Sequence, residues 1–324
     1  MAPAPVLSSP PGPPAAVLRD ERRLEVPLHL AATVGGLVRG RGDLAAALRG
    51  DELWWATNTP LGPATLHLEV RRTSASVRVR AWGSGAPWVI DQVPELLGLG
   101  DDVDAFTAHL TGLRVAGAEL VRDLHRRSPG LRMSRSGAVV EALVPSILEQ
   151  KVIGADARAS YRGLVRRHGT AAPGPDLGLR TPPTPEQLAR LPYWAYHPLG
   201  VERRRADTVA RACRAAHRLQ AGTCADAELQ RRLLTLPGVG PWTVAEVSRV
   251  ALGDPDAVSV GDYHLAHRVA FAFLGERRGT DDQLLELLEP FRPHRQRVVR
   301  LVERAAPTPP RRGPRLERSR LRTL

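Results

Sequence analysis

The chain has 324 residues, of which 43% are hydrophobic and 4% aromatic, and a formal net charge of +12. This length allows two domains, or one large domain with extensions. Two cysteines are too few for a four-cysteine iron–sulfur cluster or zinc site, and they indicate no disulfide framework. No apolar run approaches the roughly 18 residues of a membrane span, and the N-terminus lacks a signal-peptide pattern, so we expect a cytoplasmic protein without a membrane partner.

The positive charge favours a polyanionic partner, nucleic acid first, although a solvated basic surface would have the same composition. Six of the first fourteen residues are prolines, so residues 1–19 are predicted to form a disordered arm. Residues 307–324 hold six arginines and one glutamate and are predicted to form a basic, disordered tail. This tail would add non-specific affinity for phosphates, or it is a solvated segment without a function.

Residues 20–115 have the alternating pattern of strands. Apolar side chains alternate with others at 66–70 and again at 77–81, and residues 71–76 suit a turn between them. A third alternating stretch occupies residues 24–28. The pattern predicts an α/β N-terminal domain over residues 20–115, formed by a small antiparallel sheet with one or two helices.

Residues 116–306 have the periodicity of helices and are predicted to form a second, mostly helical domain. Pro145 should kink its first long helix, and Thr280 with Gln283 has the pattern of a capping box. Five prolines between residues 170 and 185 indicate a surface loop. The predicted helices include 136–150, 156–168, 202–220, 226–236 and 293–305. The predicted fold class is α+β, a mostly helical bundle preceded by the small antiparallel sheet domain.

A turn between two predicted helices is the most informative segment. Residues 236–243 are Leu-Pro-Gly-Val-Gly-Pro-Trp-Thr, in which two glycines permit a tight turn and Pro241 suits the first position of a helix. The free N–H groups at the start of that helix, and its dipole, suit a phosphate oxygen. The predicted DNA-binding hairpin consists of Leu236, Pro237, Gly238, Val239 and Gly240. An ordinary corner between two helices is the alternative.

Asp262 follows Gly238 by 24 positions, within the sequence Val-Gly-Asp-Tyr. Cleavage of an N-glycosidic bond develops positive charge on the sugar, and a carboxylate beside the sugar stabilises this charge and orients a water molecule. We therefore predict that Asp262 is the catalytic carboxylate, facing a nucleotide whose phosphate the hairpin holds. Asp262 is also well placed to cap the following helix, and the two roles are compatible.

At these residues the chain resembles the helix-hairpin-helix DNA glycosylase superfamily, and within it the alkylation-repair branch of 3-methyladenine DNA glycosylase II. Residues 147–152, Ile-Leu-Glu-Gln-Lys-Val, and Leu-Gly at 199–200 are similar to further segments of that branch. The resemblance covers residues 115–303. It implies that Asp262 is catalytic, that the hairpin binds DNA phosphate, and that the backbone of Leu236 and Val239 holds a monovalent cation. It implies no other cofactor.

The position after Pro241 separates the branches of this superfamily. Enzymes that also cleave the DNA strand carry a lysine there as a nucleophile, whereas this chain has Trp242. Its only lysine, Lys151, is distant in the sequence. The resemblance therefore implies a monofunctional glycosylase that hydrolyses alkylated bases of the 3-methyladenine type from double-stranded DNA, as a monomer in the bacterial cytoplasm, without lyase activity.

The resemblance also implies a pocket for the extruded base and a group that fills the gap left in the DNA. The predicted pocket residues are Trp242, Glu246, Tyr263 and His294, and the predicted gap residues are Gln150 and Lys151. Glu246 and His294 stand near positions where the branch has aromatic residues, and Lys151 stands at the position of an apolar wedge. The pocket should therefore be more polar than that of the branch.

Two other functions fit parts of the pattern. One is a catalytically silent DNA-binding module that uses the same hairpin, and the other is a scaffold that binds RNA or protein. Asp262 and Trp242 favour the enzyme, because neither alternative requires these two residues.

Overall fold

The computed structural model describes residues 17–309. The predicted arm and tail fall mostly on residues 1–16 and 310–324, which lie outside the described residues. The described part contains a five-stranded sheet, a two-stranded ribbon and a set of short helices. Of the helices in this part, none is long and apolar enough to cross a bilayer.

The five-stranded sheet is antiparallel throughout, with the order β1-β5-β4-β3-β2. Its strands are β1 (Leu18–Arg23), β2 (Ala46–Arg49), β3 (Glu52–Thr59), β4 (Gly62–Arg71) and β5 (Ser76–Trp82). Leu68 pairs with Val79, and both side chains are buried, which confirms the two strands predicted at 66–70 and 77–81. The alternation therefore directs one face of these strands into the core.

The third predicted strand, at residues 24–28, does not form. β1 ends at Arg23, and the chain leaves the sheet after the Leu24 amide has donated to the Ala75 carbonyl (2.7 Å). Pro27 has no N–H group, so it interrupts a hydrogen-bonded ladder. Leu24 and Leu28 still pack against the core, which explains their apolar character without a strand. The edge strand instead begins at Leu18, inside the segment that was predicted to be a disordered arm.

The helices follow the predicted order. The first five helices in chain order are α1 (Leu30–Val34), α2 (Ala86–Asp91), α3 (Val93–Leu96), α4 (Val103–Gly112) and α5 (Ala118–Arg126). The remaining helices are α6 (Val139–Glu149), α7 (Gly154–His168), α8 (Pro185–Arg190), α9 (Tyr193–Tyr196), α10 (Arg203–Arg214), α11 (Asp226–Leu234), α12 (Pro241–Val247), α13 (Leu265–Leu274), α14 (Asp281–Leu288) and α15 (Arg295–Ala305). The predicted loop at 170–185 contains the ribbon β6 (Thr170–Ala171) and β7 (Arg180–Thr181).

Two predicted helix N-termini differ from the structure, one in position and one in its capping. α6 begins three residues later than predicted, because the Ser136 and Gly137 amides donate to carbonyls of residues 250 and 251 instead of starting a helix. The capping box at Thr280 is half formed. The Thr280 side chain accepts from the Gln283 amide, whereas the Gln283 side chain donates to Glu276.

Three clusters of buried apolar side chains form the core. One lies against the sheet, one among α6, α7 and α10 to α12, and one among α4, α5 and α13 to α15. The clusters do not divide at residue 115, because Phe106 of α4 packs in the third cluster with the C-terminal helices. Each cluster contributes one buried valine to the wall of the same cleft: Val34, Val250 and Val299.

A buried carboxyl joins the sheet to the bundle. Glu141 of α6 accepts hydrogen bonds from the Thr57 hydroxyl (2.8 Å) and the Asn58 amide (2.8 Å) of β3. Burial raises the pKa of Glu141 from 4.5 to about 7, although the two hydrogen bonds lower it. The folded protein therefore binds this proton more tightly than the unfolded chain. Its contribution to stability is lost as the pH rises from about 4.5 to about 7.

We expect Glu141→Gln to remove this part of the pH dependence, because glutamine does not titrate. Urea unfolding at about pH 5 and pH 8 measures the effect. The wild type should lose free energy of unfolding relative to the variant between the two pH values. Glu119→Gln, at an exposed position of α5, is the control and should behave as the wild type. Equal pH dependence in the wild type and Glu141→Gln would contradict the assignment.

Candidate functional site

A cleft of about 1840 Å³ is enclosed by segments that are far apart in the sequence. Most of its lining comes from within residues 31–40, 149–158, 240–250, 259–265 and 296–304. The start of α12, the loop before α13 and the inner face of α15 therefore meet around one cavity.

The hairpin between α11 and α12 is held from two sides. Gly238 has φ +92°, and a Cβ atom there would lie 2.5 Å from the Thr208 hydroxyl oxygen of α10. Arg211, also on α10, donates to the Pro237 carbonyl (3.2 Å). From the other side, the Gln150 side-chain amide donates to the Gly238 carbonyl (2.9 Å). The turn is therefore fixed, and only glycine adopts its conformation without strain.

Gln150 is predicted above to fill a gap in DNA, but its amide is already engaged within the protein. Besides its bond to the hairpin, Nε2 donates to the hydroxyl of Thr243 on α12 (2.9 Å). Lys151, the next residue, is exposed at the cleft and has φ +54°, in the left-handed region. Lys151 lines the same cleft as Asp262. It is therefore close to the candidate site in space, although it is far from the hairpin in sequence.

Asp262 lies on the cleft wall two residues before His264, and α13 begins at Leu265. Its Oδ1 accepts the backbone amides of His264 (2.8 Å) and Leu265 (2.9 Å), so it satisfies donors at the start of the helix although the N-cap residue itself is His264. Within residues 17–309, Oδ2 accepts no hydrogen bond. One oxygen therefore positions the carboxylate, and the other is available to a ligand.

Glu246 forms an ion pair with Arg249, and the Ser259 hydroxyl donates to its other oxygen (2.6 Å). Arg249 lies in a π-helical turn, Ser248–Leu252, that continues α12. Burial raises the pKa of Glu246, but the Arg249 guanidinium, the Ser259 hydroxyl and Arg39 together hold it below its ordinary value. The Glu246 side chain is 10% exposed. It therefore lies in the cleft wall as a paired anion and does not point into bulk solvent.

α15 contributes a polar stripe that the sequence analysis did not identify. Gln296, Arg300 and Glu303 recur at helical spacing and line the cleft. Burial, and then the neighbouring Arg249, lower the pKa of Arg300 to about 10. Arg300 donates to the Ala32 and Thr33 carbonyls, so the end of α1 is tied to the same wall.

His294, a predicted pocket residue, is not part of this stripe. It is buried just before α15, where its ring packs edge-on against Phe106 of α4 at 5.1 Å and lies near His109. His294 precedes α15, which begins at Arg295, and the structure does not place His294 among the cleft residues, since the residues of this helix that line the cleft are further along.

The cleft brings together Gln150, Lys151, Gly240, Trp242, Glu246, Asp262 and Tyr263, all of them predicted site residues. The other hairpin residues, Leu236, Pro237, Gly238 and Val239, are outside its lining. The cleft residues that the prediction missed include Arg249, Ser259, Gln296, Arg300 and Glu303. The polar spacing along α15 was a signal for Gln296, Arg300 and Glu303, whereas nothing local in the sequence indicated Arg249 or Ser259. Within residues 17–309, no group of three His, Cys, Asp or Glu side chains is placed to hold a metal ion.

Comparison with known proteins gives a partial match in sequence. No family model matches the chain. It is 34% identical over 151 residues to the probable bifunctional transcriptional activator/DNA repair enzyme AlkA of two Mycobacterium tuberculosis strains. This match covers 46% of the chain and 30% of the relatives' own length.

Solved structures match over most of the chain. A 3-methyladenine DNA-glycosylase from Archaeoglobus fulgidus has a TM-score of 0.70 at 16% identity, covering 87% of this chain and 97% of that one. An 8-oxoguanine glycosylase/lyase from Clostridium acetobutylicum has a TM-score of 0.65 at 12% identity, covering 90% and 98%. The chain has the fold of the helix-hairpin-helix DNA glycosylases. The predicted α+β fold class is therefore confirmed. The fold alone does not identify the base or the reaction, because one of these proteins is named as a 3-methyladenine glycosylase and the other as an 8-oxoguanine glycosylase/lyase.

The hairpin of this glycosylase fold offers a matched pair of substitutions. Gly238→Ala should lower the free energy of unfolding by about 1–3 kcal/mol, because alanine is strained at this positive φ and its Cβ meets Thr208. Gly240→Ala should have little effect, because Gly240 has φ −110° and an added methyl group there would meet no described atom within 4 Å. Chemical denaturation of both variants measures the difference. Similar losses for the two alanines would argue against a strained turn at Gly238.

Proposed function

We propose that the chain is a monofunctional DNA glycosylase that hydrolyses the N-glycosidic bond of alkylated, 3-methyladenine-type bases in double-stranded DNA. The observation that carries the proposal is the Asp262 carboxylate, held by two amides through one oxygen, in the same cleft as the start of α12 and Trp242. The partial match to AlkA, named as a DNA repair enzyme, and the fold of the Archaeoglobus fulgidus protein support it.

DNA would be held by its phosphates, independently of sequence. The hairpin backbone would contact the strand that carries the damaged nucleotide, and basic side chains at the cleft would add charge. These side chains are Lys151, Arg158, Arg204 and Arg304. The Leu236 carbonyl accepts the Val239 amide (2.9 Å) and keeps a second lone pair. Neutral carbonyls of this kind suit a monovalent cation, which the Leu236 and Val239 carbonyls would hold against a phosphate.

The chemistry requires little from the protein when the base is positively charged. The glycosidic bond breaks with its electron pair leaving on the base, which departs neutral. The sugar becomes an oxocarbenium-like cation, and the Oδ2 side of Asp262 stabilises it. A water molecule then adds to the sugar carbon and gives up a proton. Trp242, which lines the cleft, offers a ring on which the extruded base would stack.

Replacement of Asp262 by asparagine separates catalysis from helix capping. The Asn carbonyl keeps an acceptor for the His264 and Leu265 amides, whereas the negative charge is lost. We expect single-turnover release of 3-methyladenine from methylated duplex DNA to fall by roughly 10²–10³-fold, with folding retained. Asp282→Asn, an exposed aspartate in the first turn of α14, should retain wild-type release. DNA binding by the wild type without release of any base would favour the silent binding module.

A second expectation concerns strand cleavage. Because Trp242 replaces the lysine nucleophile, excision should leave an intact abasic strand until alkali is added. Borohydride reduction during the reaction should trap no covalent protein–DNA complex. Lys151→Ala is the decisive control, because Lys151 is the only lysine and shares the cleft with Asp262. A trapped complex that this variant abolishes would refute the monofunctional assignment.

A further inference from the structure

A loop of the N-terminal half packs against α7 beside the cleft. Residues 39–43, Arg-Gly-Arg-Gly-Asp, form this loop, in which Gly40 has φ +86° and Gly42 has φ +77°. An added Cβ atom at Gly40 would lie 2.6 Å from Cδ of Arg158, and one at Gly42 would lie 3.3 Å from Nη1 of Arg162. The two glycines therefore let the backbone of the loop lie directly on two arginine side chains of α7.

The Asp43 carboxylate closes this loop. It accepts the backbone amides of Arg39 (2.7 Å) and Ala45 (2.9 Å), one on each side of the turn. The loop is also tied to α7, because Nη1 of Arg162 donates to the Arg41 carbonyl (3.2 Å). The loop and the helix therefore form one preformed surface.

This surface concentrates positive charge. We call it the arginine ridge, and it consists of Arg39 and Arg41 of the loop and Arg158 and Arg162 of α7. Arg41 and Arg158 are exposed, and the other two are half-buried. Within residues 17–309, no carboxylate oxygen lies within 4.0 Å of these guanidinium groups. α7 itself carries four arginines and a single acidic residue, Asp156.

Asp43 and Glu149 are carboxyl groups near the ridge, but neither forms an ion pair with its arginines in the described part of the chain. Asp43 accepts the two loop amides. Burial raises the pKa of Glu149, although the charges of Arg39 and Arg158 lower it. Like charges four residues apart on a helix repel each other, so Arg158 and Arg162 cost the folded protein free energy that an anionic ligand would recover.

The ridge continues one edge of the cleft. Arg39 and Arg158 line the cleft together with Lys151, whereas Arg41 and Arg162 are outside its lining. A nucleotide held in the cleft belongs to a longer strand, so its neighbours must pass over the surfaces that border the cleft. Guanidinium groups bind phosphate oxygens through two parallel hydrogen bonds. The chemistry of the ridge therefore fits a phosphodiester backbone.

We propose that the arginine ridge is a second phosphate-binding surface, by which the N-terminal half of the chain grips duplex DNA beside the cleft. This inference rests on the proposed glycosylase function, from which it takes DNA as the substrate. The hairpin would bind the backbone at the nucleotide in the cleft, and the ridge would bind phosphates further along the duplex. The N-terminal half would thus contribute affinity for DNA as well as part of the cleft wall.

Two charge-matched double variants test the ridge. Arg41→Gln/Arg162→Gln, the ridge variant, removes two ridge charges outside the cleft lining. Arg277→Gln/Arg278→Gln, the control, removes two exposed charges that also have no carboxylate within 4.0 Å among residues 17–309 and do not line the cleft. Because both variants lose the same net charge, a difference between them reports the position of the charges. Thermal unfolding verifies that both are folded.

The affinity of each protein is measured by fluorescence anisotropy over a range of KCl concentrations. The probe is a duplex that carries a tetrahydrofuran analogue of an abasic site, which is not cleaved. The slope of log K against log [KCl] should become shallower by about 1 to 2 in the ridge variant, because each lost phosphate contact removes about 0.9. Its affinity at low salt should fall at least about tenfold, whereas the control should stay within about twofold of the wild type. Equal losses in the two variants would overturn the inference.

Neutral methylphosphonate linkages, placed one at a time in each strand, locate the contact. A linkage at a phosphate that the ridge binds should weaken binding by the wild type but not by the ridge variant. Linkages at phosphates that the hairpin binds should weaken binding by both proteins. If every linkage that affects the wild type affects the ridge variant to the same degree, the ridge binds no phosphate and the inference is wrong.

Base release by the wild type distinguishes this failure from failure of the proposed function. If the wild type releases bases from methylated DNA but the ridge variant and the control bind the duplex alike, the glycosylase stands and the ridge is wrong. If the ridge variant alone loses affinity but the wild type releases no base from any lesion, the ridge stands as a DNA-binding surface and the enzymatic proposal is wrong.

Discussion

The cleft depends on the side-chain amide of Gln150. This residue ends α6, and its amide donates to both the hairpin carbonyl of Gly238 and the hydroxyl of Thr243 in the first turn of α12. The end of α6, which is remote in sequence, is thereby held at a fixed distance from the hairpin and from the helix that follows it. The hairpin that would hold a phosphate, the rim that carries Lys151 and the helix that carries Trp242 and Glu246 cannot shift independently. A nucleotide gripped at one of these points is consequently positioned at the others.

Three of the carboxylates that line the cleft differ in their surroundings. Asp262 has two amide donors on one oxygen and none on the other within the described residues. Glu246 is satisfied on both oxygens by Arg249 and Ser259. Glu303 is exposed at the cleft and, within the described residues, has no cationic side chain within 4.0 Å of its carboxylate. Identical functional groups are thus divided by environment alone into a positioned anion that faces the cleft, a structural ion pair and a solvent-exposed carboxylate.

A feature could be predicted from the sequence when the residues that determine it are neighbours in the chain. The hairpin and the capping role of Asp262 depend on neighbouring residues, so their residue types and spacing were sufficient. The strands at 66–70 and 77–81 were predicted for the same reason, because their alternating pattern lies within a few consecutive residues. The false strand at 24–28 had the right alternation, but Pro27 removed the backbone donor that pairing needs.

The cleft wall could not be predicted in the same way, because distant segments build it. The place of His294 near the start of the last helix suggested the pocket, whereas the packing of α15 turns Gln296 and Glu303 to the cleft and places His294 against Phe106. Sequence separation made Lys151 look remote, but it does not measure distance in a folded chain. Only the structure shows that Arg249, Ser259 and Glu246 form one network.

The bond from Arg300 to the Ala32 and Thr33 carbonyls has a consequence for how this protein is divided. Residues 31–40 precede most of the sheet in sequence, yet they line the same cleft as α12 and α15. A shortened protein made of the helical half alone would keep Asp262 and the hairpin but would have a trench open to solvent on one side. The N-terminal half therefore supplies one side of the cleft, and the smallest unit that keeps the cleft enclosed includes this half of the chain.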